Sequence, residues 1–352
     1  MSAINAHDLR APFPYFGGKS RVAAEVWSRF GAVDSYVEPF FGSGAVLLCR
    51  PGGGPQNVET VNDLDGHLCN FWRAVRSSPD AVAEFADWSV SEVDLHARHL
   101  VLVEQRESLT ERLLGDPDFY DARLAGWWVW GASCWIGGGW CSGGGPWVRE
   151  GGRMVKRSGG GGVSRRLPSL GDAGKGVNRK SVEGVVRQLP HLGNRGQGTN
   201  SLGVYDPDGA RLNDWMRTLS QRLRRVRIAC GSWDRVMGDT VTVRGSGHPG
   251  VAGIFLDPPY AGGNMDYSSG GMGLGVADEV RAWCLEHGSR RDLRVAICGH
   301  GSEHSALEAE GWSRYEWQTK GGYGTTEEAR ARGASETVWF SPACITSQLR
   351  LL

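Results

Sequence analysis

No two of the eight cysteines (Cys49, Cys69, Cys134, Cys141, Cys230, Cys284, Cys298, Cys344) stand close enough to form a CxxC pair. Zinc knuckles and disulfide frameworks need tighter spacing, so reduced thiols are expected and no bound metal. Long apolar runs are absent as well. The longest, Ala125 to Ile136, is about 12 residues against the roughly 20 that a membrane span requires, and it reads as a buried helix. The N-terminal stretch carries His7, Asp8 and Arg10 and no apolar signal core, so a soluble, cytoplasmic protein is expected. Net charge is also lacking: 39 basic residues cancel 39 acidic ones, and bulk charge does not advertise a polyanionic partner.

Two residue types are abundant instead. Glycine, at 53 residues, occurs at about twice its ordinary frequency, and tryptophan reaches 15. Extensive loops and flat stacking surfaces follow. A length of 352 residues accommodates one large α/β domain with an insertion, or two domains.

The stretch Val37-Glu38-Pro39-Phe40-Phe41-Gly42-Ser43-Gly44-Ala45-Val46 organises the rest. An apolar run ends in an acid and a proline, Gly42 and Gly44 make a turn, and apolar residues at helical spacing follow through Leu48. Glycines at a strand-to-helix turn admit backbone N–H groups to a ligand that a Cβ would exclude. The third glycine of the dinucleotide fingerprint is missing, so a plain structural turn stays open. A second strand near Val58 to Val61 ends at Asn62-Asp63. Asp63 stands 21 positions after Gly42, close to the spacing at which an acid meets the ribose hydroxyls of a bound nucleotide. A turn-forming aspartate is the blander reading.

A helix is predicted over 20–30, with Val22, Val26 and Phe30 on one face. From Leu64 to Ile136 the pattern is helical. Ser78-Pro79-Asp80 predicts a start with a capping serine, Leu95, Leu102 and Leu109 recur at heptad spacing, and Trp127, Trp128, Trp130, Trp135 and Trp140 read as core and loop anchors. Gly137 to Gly198 has little periodicity and carries eleven basic residues against three acidic ones. It reads either as a solvated loop or as a mobile arm whose Arg149, Arg153, Lys156, Arg157, Arg165, Arg166, Arg179 and Lys180 neutralise phosphates. Periodicity returns with a helix over 211–224, strands at 226–230, 253–256 and 293–298, a helix over 277–287, and a closing hairpin of 315–319 with 336–340. Strands alternating with helices imply a mostly parallel sheet with an antiparallel finish.

Asp257-Pro258-Pro259-Tyr260 follows a buried apolar strand, at the carboxyl edge where open α/β sheets bind ligands. The prolines fix the backbone, and Pro258 offers a carbonyl that no local helix can claim. A rigid carboxylate beside a rigid carbonyl forms a fork of two acceptors. Such a fork suits both hydrogens of a planar amino group, and Tyr260 supplies an aromatic face for the ring that bears it.

Pro14-Tyr15-Phe16-Gly17-Gly18-Lys19, the run from Val37 to Gly44, and Asp257 to Tyr260, in this order, resemble the Dam-type DNA adenine methyltransferases. These are the alpha group of S-adenosylmethionine-dependent amino-methyltransferases. The tail from Glu336 to Pro342 is similar to the closing strand of phage and bacterial members. The resemblance implies a Rossmann-like α/β methyltransferase fold, with a discontinuous catalytic domain at 12–68 and 226–345. A helical, Gly/Arg-rich target-recognition region would be inserted at 69–225, with flexible termini at 1–11 and 346–352.

The implied reaction moves a methyl group from S-adenosylmethionine to N6 of a flipped adenine in double-stranded DNA. Cofactor contacts would come from Tyr15, Lys19, Glu38, Phe40, Gly42, Gly44 and Asp63, and catalysis from Asp257, Pro258, Pro259 and Tyr260. Ser232-Trp233 stands where members often carry an acid-aromatic pair near the cofactor's adenine, and the serine predicts weaker affinity. A monomer or weak dimer, a cognate restriction endonuclease and a bacterial (or bacterial-host) cytoplasm are expected with it. Because the fork recognises an amine rather than a ring, the cytosine amine (N4) or an RNA base remains an alternative, as does a decayed DNA-binding module. Carbon methylation of cytosine is excluded, since its nucleophilic cysteine follows a proline, whereas Cys344 follows Ala343.

Overall fold

The computed structural model describes residues 9–13, 15, 19–52, 58–135, 140–141, 147–150, 153–156, 210–242, 250–259, 273–318 and 335–346. A 3-10 turn at Lys19–Arg21 leads into α1 (Ala23–Phe30), β1 (Ser35–Glu38) and, across the glycine turn, α2 (Ala45–Leu48). β2 (Val58–Asp63) is followed by α3 (Gly66–Ser77), α4 (Pro79–Ala86), α5 (Glu92–Gly115) and α6 (Ala122–Cys134), then by β3 (Trp147–Glu150) and β4 (Arg153–Lys156). α7 (Ala210–Leu223) returns the chain to β5 (Val226–Cys230), α8 (Asp239–Thr242) and β6 (Ala252–Leu256). α9 (Gly273–His287), β7 (Leu293–His300), β8 (Ser313–Gln318) and β9 (Ser335–Phe340) close it.

Seven strands form one sheet in the order β5-β2-β1-β6-β7-β9-β8. β5, β2, β1, β6 and β7 are mutually parallel, and β9 pairs antiparallel with both β7 and β8. Parallel strands are covered on both faces, which is why β6 reads Ala-Gly-Ile-Phe-Leu and is buried throughout. Alternation sorts the side chains into two cores. Tyr36, Val61, Phe255 and Ala296 face α1, α3, α4, α6 and α7, whereas Val37, Ile254, Leu256 and Val295 pack with Val280 and Cys284 of α9. Helices on both faces and an antiparallel finish fit a methyltransferase-type α/β sheet.

The helical stretch is capped locally by acids. Asp65 accepts from the N–H of His67 at 2.9 Å and Asp121 from that of Leu124 at 2.9 Å. Ser78 corrects the sequence reading. It makes no side-chain cap, because its hydroxyl pairs with that of Tyr120 at 2.8 Å; Pro79 alone marks the start of α4.

α3 and α7 lie on the sheet itself. Arg73 donates to the carbonyl of Ile228 on β5 at 2.9 Å, and Arg222 grips both oxygens of Glu59 on β2, at 2.6 and 2.8 Å. Glu59 also meets Arg50 at 3.2 Å, so this buried carboxylate is doubly paired. A boundary at Cys69 therefore falls within α3, and the helical segment shares its core with the sheet. The stretch read as lacking periodicity contains a hairpin. Val148 pairs with Val155 and Glu150 with Arg153, around Gly151-Gly152, a dipeptide that suits a two-residue reversal. Among the described residues no helix is long and apolar enough to cross a membrane.

Candidate active site

β1 and β6 are neighbours, yet the chain leaves them toward opposite halves of the sheet, so their carboxyl ends border a crevice at a switch point. Val37 registers with Ile254, which brings Glu38 and Asp257 to the same end. The glycine turn stands directly beyond β1. Gly42 and Gly44 have φ of 49° and 64°, in the left-handed region where a Cβ is strained. Space is restricted too: a Cβ on Gly42 would lie 2.6 Å from the Tyr15 ring, and one on Gly44 2.6 Å from that of Phe41.

Asp63 reaches this turn from the end of β2. Its Oδ2 accepts from the N–H of Gly42 at 2.9 Å, and its Oδ1 from that of Asp65 at 3.0 Å. Burial pushes its pKa up to about 6, against the pull of these N–H bonds. The acid thus positions the turn as well as standing beside it.

Asn62 carries a role that its sequence position did not signal. Fully buried, its amide donates to the carbonyls of Pro39 at 3.1 Å and Gly231 at 2.9 Å. It clamps the chain beyond β1 and β5 to the end of β2. Across this clamp the rings of Phe40 and Trp233 are nearly parallel, 6.3 Å between centres and 21° between planes. Ser232 is exposed beside them.

The second half of the site is a charge cluster. Lys19, buried, holds its ammonium 3.0 Å from Asp257 Oδ2 and 3.6 Å from Glu336 Oε2. Burial works to lower its pKa, but the Asp257 and Glu336 carboxylates outweigh that and raise it, so the group stays charged. Lys19 therefore stands at the double-proline motif. Glu336 was legible in the sequence only as an acid at the head of an apolar closing strand. Burial raises its pKa, opposed by Lys19. Glu38, also buried, accepts from the Tyr36 hydroxyl at 2.9 Å. Burial moves its carboxyl well above the usual range and Asp257 and Asp63 add to that, while the Tyr36 bond opposes it.

Pro258 is buried and Pro259 half-buried, which fixes the chain after Asp257. Tyr260 lies outside the described residues, as do Arg157, Arg165, Arg166, Arg179 and Lys180. Arg149, Arg153 and Lys156 belong to the β3–β4 hairpin. The structure thus gathers Tyr15, Phe40, Gly42, Gly44, Asp63 and Trp233 around the glycine turn, and Lys19, Asp257 and Glu336 around the end of β6.

Residues 15–98 match the family described as D12 class N6 adenine-specific DNA methyltransferase. No curated protein matches the chain. The matched segment includes Tyr15, Lys19, the glycine turn and Asp63, whereas Asp257 and Glu336 join them only through the sheet.

Proposed function

We propose that the chain is an enzyme that methylates N6 of adenine in DNA, as the match of residues 15–98 to an N6 adenine-specific DNA methyltransferase family supports, and that its residues divide the work as follows. Methyltransferases generally draw on S-adenosylmethionine, which when bound supplies a methyl group on a sulfonium. Beside the turn at Gly42 and Gly44, Asp63 offers a carboxylate to ribose hydroxyls, and Phe40 with Trp233 offers flat apolar faces to a purine. Asp257 and the Pro258 carbonyl accept the two hydrogens of the N6 amine. That directs the nitrogen lone pair toward the methyl group, and most of the rate gain comes from orientation.

By sequence, Tyr260 follows as a stacking surface for an adenine rotated out of the duplex. The β3–β4 hairpin and the basic stretch after it serve as the target-recognition region, meeting DNA phosphates. The observation that carries this division is the placement of Asp257 across the switch-point crevice from the glycine turn. Duplex DNA incubated with the protein and S-adenosylmethionine acquires N6-methyladenine, read by modification-sensitive sequencing. Methyl groups on cytosine N4, or none at all, would overturn it.

Cofactor binding depends on pH through Asp63. Ionised Asp63 accepts two hydroxyls, and its pKa stands at about 6 in the free protein. Affinity is therefore full above that value and falls as pH drops through it. Calorimetric titration gives a dissociation constant roughly tenfold larger at pH 5 than at pH 7. A flat profile would detach Asp63 from the ribose.

A further inference from the structure

We propose that Glu336 is a positioning residue for methyl transfer, acting through Lys19: from β9 it draws the Lys19 ammonium to itself and limits that ammonium's hold on Asp257. The inference rests on the role given above to Asp257. One buried ammonium lies between two carboxylates, 3.0 Å from Asp257 and 3.6 Å from Glu336. A charge-assisted hydrogen bond of this kind is about twice as strong as one from a neutral donor. An ammonium given wholly to Asp257 would outcompete the neutral N6 amine for the same carboxylate. A second anion on the same ammonium divides the attraction and leaves Asp257 a better acceptor.

Packing does not account for Glu336. Its carboxylate is mostly buried, at 11 % side-chain exposure, and a neutral amide of the same shape would fill the space without the cost of burying charge. Among the described residues, the other groups facing the cluster do not replace it. Cys298 on β7 is a fully buried thiol pushed well above its ordinary pKa by burial, and His300, registered opposite Glu336, carries no negative charge. Glu38 stands at the end of β1, bonded to Tyr36.

The test compares Glu336→Gln and Glu336→Asp with the wild type in the full chain, by steady-state methyl transfer to duplex DNA and by thermal melting. In Glu336→Gln the turnover number falls about tenfold, KM for DNA and for S-adenosylmethionine stays within about twofold, and melting is unchanged or higher. Glu336→Asp recovers part of the loss, because it restores the charge. Wild-type turnover in Glu336→Gln overturns the inference, and so does a deficit confined to KM or one that the aspartate shares in full. Those results leave the reading of Asp257 intact, whereas a wild-type protein that transfers no methyl to adenine removes both.

Discussion

Asp257→Ala lowers methyl transfer to adenine on the order of 10³-fold, while the affinity for duplex DNA changes by less than about threefold. The side chain removed stands at the mouth of the crevice, 22 % exposed, so its loss opens no cavity in either core. Lys19 keeps Glu336 as a partner, which limits the damage to folding. What disappears is the charged arm of the acceptor fork, and with it the alignment of the amine. Asp257→Asn retains an oxygen acceptor without the charge and falls between the two. Single-turnover transfer measured beside a DNA-binding titration separates chemistry from binding. Were Asp257→Ala to turn over at the wild-type rate, the fork would have no part in the reaction.

Asn62→Ala destabilises the protein by about 3 kcal/mol. Two carbonyls, those of Pro39 and Gly231, lose their donor in a buried environment, and each such loss costs roughly 1–3 kcal/mol. The consequence reaches the site. Without the clamp the chain after β1 and the chain after β5 keep only backbone bonds to the end of β2, from Phe41 N–H to the Asn62 carbonyl and from Gly231 N–H to that of Asp63, so the near-parallel arrangement of Phe40 and Trp233 loosens. Urea unfolding reads the first effect, as a lower midpoint at unchanged slope. Calorimetry reads the second, as weaker S-adenosylmethionine binding. A variant that unfolds with the wild type and binds the cofactor equally well would show the clamp to be idle.

Much of the architecture was legible because it depends on neighbours in sequence. The apolar run at 253–256 could only be a strand covered on both faces, and the structure begins it one residue earlier, at Ala252. Gly42 and Gly44 marked a turn that L side chains resist, and both adopt positive φ. The paired prolines after Asp257 announced a rigid end to a strand. Where local signals misled, a distant partner had intervened. Ser78 looked like a cap, but Tyr120 takes its hydroxyl. The hairpin at 147–156 went unread because its strands are four residues each, too short for a period to emerge among glycines.

Taken alone, then, the amino-acid sequence determined where this protein turns, which strands lie inside the sheet, and that an acid-proline fork closes one of them. These depend on backbone freedom and side-chain periodicity within a few residues. Only the tertiary structure decided that Asp63 holds the glycine turn, that Asn62 ties three strand ends together, and that Lys19 sits between Asp257 and Glu336. A polar side chain's partner is set by which strand ends the sheet order brings together, and Lys19 meets Asp257 and Glu336 only because residues hundreds of positions apart are packed side by side.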